Sequence, residues 1–278
     1  MKDYIQIHDL KDKQKLLLIL LKEFHNICDK YGLIYNIFGG TMLGAIRHKG
    51  FIPWDDDVDV TMPLNDYYKF INIIRRDYLE DFVIHVYPDI NYIYAFAKFG
   101  FKNSILYEDI VAAPYNKLSF NIDIFPNYGY PTKESVFKLY NKYEQNIILL
   151  TYKIPKDNNF LKDFFITFLK SIKKIRGTSF YINKQILLLS KTKEDGVEYI
   201  VCQGGGWGKK GRLEKRKYYD RVLYDFENIK VWGIRDYHQH LTNLYGDYLT
   251  LPPADERINT HKTTAFVSKE IYKMYLEE

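Results

Sequence analysis

The chain has 278 residues, 46% of them hydrophobic, which is enough to enclose a packed core and excludes a disordered polypeptide. Its 40 basic and 35 acidic residues leave a net charge of +5, too mild to require a nucleic-acid partner yet favourable to anionic ligands or a membrane surface. Cys28 and Cys202 form neither a CxxC nor a zinc spacing, so no disulfide framework is expected and a reducing cytoplasm fits. The first residues lack the apolar core of a secretory signal. The longest aliphatic run, Leu16 to Leu21, is far shorter than the ~20 residues of a spanning helix, so a soluble or peripheral protein is expected.

In chain order, apolar residues at helical spacing (Leu17, Leu20, Leu21, Phe24, Cys28, Tyr31) predict an opening helix from Leu10 to Tyr31, ended by Gly32. A short strand pattern, Leu33 to Phe38, breaks at Gly39-Gly40, and a brief helix follows from Thr41 to His48. Asp55 to Met62 alternates acidic and apolar residues like a strand with one wet face, and Asn65 is placed to cap a helix reaching about Tyr78. Further strands are predicted at 82–87, 92–99, 104–110 and 118–125, separated by proline, glycine and asparagine breaks. Beyond Pro131 lysines multiply and helical spacing dominates to Lys191. A glycine cluster at 204–208 marks a loop, and a last helix begins near Ser268. The expected fold class is α+β: a mixed sheet with flanking helices over residues 1–131, then a mainly helical region over 132–278 that completes a substrate cleft.

Asp57 and Asp59 stand one residue apart on a predicted strand, so their side chains share a face while Val58 and Val60 point inward. Such a pair suits magnesium, which takes hard oxygen ligands from one or two carboxylates together with water and substrate phosphate. Asp123, flanked by Ile122 and Ile124 on a later strand, is a candidate third carboxylate for a two-metal clamp. Taken separately, Asp-x-Asp reads as a solvated loop, Asp123 as a buried acid satisfied by backbone, and Gly39-Gly40 as a tight turn. The order strand, Gly-Gly, helix, Asp-x-Asp strand, lone-Asp strand is much more specific than any member, because the glycines bare backbone N–H groups for a phosphate.

That order resembles the nucleotidyltransferase superfamily. The run from Phe38-Gly39-Gly40-Thr41 through Arg47-His48-Lys49 to Trp54-Asp55-Asp56-Asp57-Val58-Asp59 resembles the LicD family, as do Asp123-Ile124-Phe125-Pro126, Tyr245-Gly246-Asp247-Tyr248, Pro252-Pro253 and Arg257. The resemblance implies a nucleotidyltransferase-like core and transfer of phosphocholine from CDP-choline to a hydroxyl of a cell-surface glycan, teichoic acid or lipid-linked precursor, with CMP leaving. Relatives in the same family transfer other phosphoalcohols, such as ribitol phosphate or glycerol phosphate. It further implies that Gly39, Gly40 and Thr41 contact donor phosphates, and that Asp57, Asp59 and Asp123 hold one or two Mg2+ ions, replaceable by Mn2+.

Arg47 is a further phosphate candidate because its guanidinium can hold two oxygens at once; His48 and Lys49 beside it serve either a substrate or the helix C-terminus. Asp55 and Arg257 are candidate substrate contacts, and Tyr245 and Asp247 serve either substrate or the Pro252-Pro253 turn. Choline would need aromatic faces for its quaternary ammonium, for which Trp54, Trp207 and Tyr248 are candidates among 26 Tyr and 3 Trp. Phe164, Phe165, Phe168, Ile172 and Ile175 recur at helical spacing among Lys162, Lys170, Lys173, Lys174 and Arg176. Such a helix either lies on an anionic inner leaflet of the plasma membrane or packs its phenylalanines on the sheet. Two other functions use the same acids: a true nucleotidyltransferase would release pyrophosphate rather than CMP, and a binding or scaffold protein would release neither.

Overall fold

The computed structural model describes residues 3–131, 133–154, 160–192, 196–202, 208–259 and 261–277. The first half runs β1 (Tyr4–Ile7), α1 (Leu10–Tyr31), β2 (Asn36–Ile37), α2 (Gly39–Arg47), β3 (Asp59–Pro63), α3 (Leu64–Asp77), β4 (Phe82–His85), β5 (Ala97–Phe101), β6 (Ser104–Glu108), β7 (Lys117–Leu118) and β8 (Asn121–Gly129). Three helices follow, α4 (Glu134–Thr151), α5 (Phe160–Lys174) and α6 (Gly177–Ser190). The chain then continues through β9 (Tyr199–Cys202), β10 (Arg212–Glu214), α7 (Lys215–Tyr219), β11 (Arg221–Phe226), β12 (Ile229–Ile234), α8 (Tyr237–Tyr245), β13 (Thr263–Ser268) and α9 (Lys269–Tyr275).

The central sheet is mixed. β3 pairs parallel to β8 and antiparallel to β2, while the other edge of β8 takes β5 and then β9, with β4 outside β5 and β10 outside β9. A second antiparallel sheet runs β1-β13-β6-β7, and β11 and β12 form a hairpin. The fold is therefore mixed α+β. Helical content after residue 131 was anticipated; the five strands there were not. β9 and β10 extend the same sheet as β8, so the sheet itself crosses position 131. These strands are three to six residues long, too short for an alternation pattern to stand out in sequence.

α1 forms where its spacing predicts, with the Asp9 carboxylate accepting from the Lys11 amide at 2.6 Å and Gly32 closing it in the left-handed region. Leu16, Leu17, Leu20, Leu21 and Phe24 are at most 1% exposed and share a core with Val58, Val60, Ile122, Ile124, Ala97 and Phe99. Each such side chain contributes about 1.5–3 kcal/mol on burial, so this face of the sheet anchors the fold. Because side chains alternate along a strand, the residues between those core positions, Asp59, Asp123 and Lys98, are directed to the other face.

Strands expected at 33–38, 92–99 and 118–125 form at Asn36–Ile37, Ala97–Phe101 and Asn121–Gly129, and three further differences bear on the site. α2 begins at Gly39, so the glycine pair lies inside the first helical turn rather than ahead of it. β3 begins only at Asp59, where its registered pairing with β8 starts, and Asp55 to Val58 are loop, with the Val58 carbonyl accepting from the Asp123 amide at 2.9 Å. Asp57 therefore reaches the site from a loop and not from a strand. α3 starts at Leu64 after Pro63, without an Asn65 cap.

α5 settles one open alternative. It contacts α4 and α6, yet Phe164, Phe165 and Phe168 are 62%, 58% and 51% exposed and Ile175 is 85% exposed, so its phenylalanines do not pack on the sheet. The side chains of Leu161 and Lys162 lie outside the described residues. Among the described residues, no helix is long and apolar enough to cross a membrane.

Candidate active site

Three strands meet in one row. Asp59 of β3 stands opposite Asp123 of β8, and Asp123 stands opposite Lys98 of β5, so all three side chains share the face turned away from α1. The Lys98 ammonium is bonded to both Asp123 oxygens, at 2.7 and 3.0 Å, and lies 3.6 Å from Glu108. Burial opposes the charge on Lys98, but the Asp123 and Glu108 carboxylates hold its pKa above the ordinary lysine value. Lys98→Met would strand two carboxylates in a buried setting and is expected to destabilise the fold by about 3–5 kcal/mol, visible as a lower urea midpoint. A midpoint within experimental scatter of the parent would show that the pair is inessential.

The loop that carries Asp55, Asp56 and Asp57 is pinned from three directions. Lys13 of α1 bonds Asp56 at 3.0 Å, Gln14 donates to the Asp55 carbonyl at 2.8 Å, and Thr263 of β13 donates to Asp56 at 3.2 Å. The Asp56 side chain is 1% exposed, and it also bonds the His261 ring at 3.0 Å. Burial raises its pKa, but His261, Asn259 and Lys13 outweigh that and hold it at about 2. Asp56 is thus an anchor whose oxygens are already engaged. The Asp56 hydrogen bond, with Asp57 and Asp55 nearby, raises His261 to about 9.

Asp55, Asp57 and His261 each offer a ligand atom within 4.8 Å of one another, a set able to hold a metal ion. Asp59 and Asp123 adjoin this set without belonging to it. Burial and mutual repulsion raise the acids: Asp57 to about 7, Asp59 well above the usual carboxylate range, and Asp123 to about 6 despite Lys98. Carboxylates driven toward protonation by one another are relieved by a bound cation, so the donor set fits a divalent metal.

The glycine turn lies against these acids. A Cβ on Gly40 would sit 3.0 Å from the Asp55 carboxylate oxygen, so the missing side chain is what lets the first turn of α2 approach the acidic loop. The Thr41 hydroxyl, 5% exposed with its residue, accepts from the Asp59 amide at 2.8 Å and ties α2 to the start of β3. Gly39 has φ +52°, and Phe38 provides no side-chain cap, so the amides of the first turn have no intrahelical acceptor.

The remaining sequence candidates sort into near and far. Tyr245, at the end of α8, has its phenol raised by burial and then by the nearby Asp59, Asp55 and Asp57. Arg47 donates to the Tyr248 carbonyl at 2.9 Å and to the His48 ring at 2.9 Å; burial and then Arg257 lower its pKa. Lys49 turns the chain at φ +61°, its carbonyl accepting from Glu227. Asp247 accepts from Thr250 and Arg257 donates to the Pro252 carbonyl, both in the exposed turn after α8. Trp54 packs edge-on to His48, and Tyr248 is buried with its hydroxyl on the His238 ring, so these two rings do not converge on one cage. Trp207 lies outside the described residues.

Lys98, Glu108, Lys13 and His261 went unnoticed in the sequence. A lone lysine between alanine and phenylalanine in an apolar strand is a legible signal, since lysine is almost never buried without a partner. His261 carries no such mark, because its place depends on β13 returning beside β1 and β6.

The sequence that builds this site has parallels in known proteins. Residues 32–146, which hold the glycine turn, both halves of Asp-x-Asp, Lys98 and Asp123, match the family described as LicD/FKTN/FKRP, nucleotidyltransferase domain. The chain is 29% identical to the lipopolysaccharide cholinephosphotransferase LicD of Haemophilus influenzae, over 93% of this chain and 98% of that protein. An uncharacterized protein of Rickettsia typhi is 36% identical over 26% of this chain and 24% of its own length, and one of Rickettsia prowazekii is 29% identical over 30% and 39%. The family match covers each strand that supplies an acid to the row, and this part of the chain is similar to the LicD/FKTN/FKRP nucleotidyltransferase domain.

Proposed function

We propose that the protein transfers phosphocholine from CDP-choline to a hydroxyl of a cell-surface glycan or its lipid-linked precursor, releasing CMP, with Mg2+ as the cation and Mn2+ able to replace it. The observation that carries this reading is the convergence of Asp55, Asp57 and Asp59 beside the Gly39-Gly40 turn, where the repulsion among the acids calls for a cation and the helix start suits a phosphate. The transferase named in Haemophilus influenzae supports the choice of phosphoalcohol chemistry. The core is read as nucleotidyltransferase-like on the same grounds, with residues 132–278 completing the cleft through Tyr245 and His261.

Bound magnesium would neutralise diphosphate charge and ease departure of CMP. Asp55 and Asp57, with Asp59 adjoining them, would supply the hard oxygens for it, and His261, hydrogen-bonded to Asp56, would donate to a phosphate oxygen. Asp123, held in place by Lys98, orients the acceptor hydroxyl and takes its proton as that oxygen bonds to the choline-bearing phosphorus. The bond from phosphorus to the CMP oxygen breaks, and CMP keeps the electron pair. Gly39, Gly40 and the Thr41 amide face the donor phosphates, and Arg47 lies at the far end of α2 beside the turn that follows α8.

The exposed phenylalanines of α5, beside exposed Lys174 and Arg176, support docking on the anionic cytoplasmic face of the plasma membrane, where a lipid-linked acceptor would lie. The chemistry is tested by phosphorus NMR of the protein and magnesium with CDP-choline, CDP-ribitol, CDP-glycerol and CTP. CMP should appear with CDP-choline; pyrophosphate from CTP would mean nucleotidyl transfer, and no turnover of any donor would mean an inactive scaffold.

A further inference from the structure

Beside Asp57 and Asp123 opens a pocket of about 240 Å³ whose walls include Tyr94, Phe96, Phe120, Tyr152 and Glu108. None of these residues was singled out in the sequence. The rings of Tyr94 and Phe96 are tilted at 42° with centroids 5.1 Å apart, and they already accept a cation: the Lys98 ammonium lies 4.9 Å from the first centroid and 5.4 Å from the second. Glu108 receives the Tyr94 hydroxyl at 2.5 Å, and its side chain is 15% exposed.

We propose that this pocket receives the quaternary ammonium end of the transferred alcohol, with its methyl groups against Tyr94, Phe96 and Tyr152 and its charge offset by Glu108. The proposal rests on the phosphocholine reading and gives it a location. A quaternary ammonium has no N–H to donate, so neither backbone carbonyls nor hydroxyls can grip it, and aromatic faces backed by a carboxylate are what remain. The two carboxylates beside Lys98 are unequally used. Asp123 takes the ammonium at 2.7 and 3.0 Å, while Glu108 stands off at 3.6 Å and is left to face a second cation. Only two carbons separate choline nitrogen from its phosphate ester oxygen, so the pocket must share a wall with the phosphate site, and here Asp57 and Asp123 line both.

The test uses the whole protein with phosphocholine as probe and needs no turnover. Saturating aromatic protons should transfer magnetisation to the N-methyl protons of phosphocholine, and Tyr94→Leu should weaken phosphocholine binding about tenfold while leaving CMP affinity unchanged. Tyr94→Phe, which keeps the ring, should retain binding within about threefold, a loss smaller than half a factor-of-ten step in free energy. The uncharged isostere 3,3-dimethylbutyl phosphate should bind the parent protein more weakly than phosphocholine. No transfer to the methyl protons, equal affinity for the two probes, or a parallel loss of CMP and phosphocholine in Tyr94→Leu would each overturn the pocket. Release of CMP from CDP-choline by a protein that shows no methyl contact would sink this proposal alone. Absence of CMP release from every donor, with the methyl contact present, would sink the transferase reading alone.

Discussion

Asp59→Asn is expected to lower CMP release from CDP-choline by about 10³-fold or more, since losing a charged ligand of a catalytic cation should exceed the 10²–10³ typical of one lost hydrogen-bond donor. Asp59 is the position where this change says most about chemistry. It faces Asp123 across the parallel pair, and repulsion from Asp57, Asp123 and Asp55 adds to burial in raising its pKa, so an amide there removes an unfavourable charge from the folded protein. Stability should therefore hold or rise while activity collapses. Thermal unfolding and phosphorus NMR on one preparation separate the two effects, and a variant that keeps a tenth of parental turnover would remove Asp59 from the cation's ligands. The same experiment on Asp56→Asn should read differently. Asp56 is pinned by Lys13, His261 and Thr263 and holds its proton off to about pH 2, so its loss should appear in stability as well as in rate.

The second large effect is expected at α5. Replacing Phe164, Phe165 and Phe168 together by serine should cut binding to vesicles rich in anionic lipid by roughly a thousandfold, because each ring buried in the interface is worth on the order of 1.5–3 kcal/mol at full burial. The three rings are 62%, 58% and 51% exposed in the protein, so they form little of its core and the variant should fold as the parent does. Charge assists the same contact at ~1 kcal/mol per basic residue near the surface, so raising salt should weaken binding of the parent. Cosedimentation measures both. A parent protein that stays in the supernatant at low salt would end the membrane reading and leave the exposed face to another partner.

These two predictions draw on different parts of what could be foreseen. Local order was legible because local rules made it: the apolar spacing of α1, its Gly32 end, and the start of α9 near Ser268 all follow from contacts within a few residues. The glycine turn and Asp-x-Asp were legible as an ordered motif, since backbone exposure and paired carboxylates each need specific residue types at fixed spacing. The reading erred where a neighbour in space decided the matter. Asp57 stands in a loop because the registered pairing of β3 with β8 starts at Asp59, and β9 and β13 exist because β8 and β6 have open edges to fill.

By itself, the sequence determined the apolar face that buries α1, the glycine pair, the acidic motif and the family they resemble, since each is written within a continuous run of chain. Only the tertiary structure decided which charges meet. Lys98 reaches Asp123 because β5 and β8 pair in that register, and His261 reaches Asp56 because β13 returns between β1 and β6. The physical reason is that an ion pair or a cation pocket costs most in desolvation and gains most in proximity, and both terms are set by distances between segments far apart in the chain.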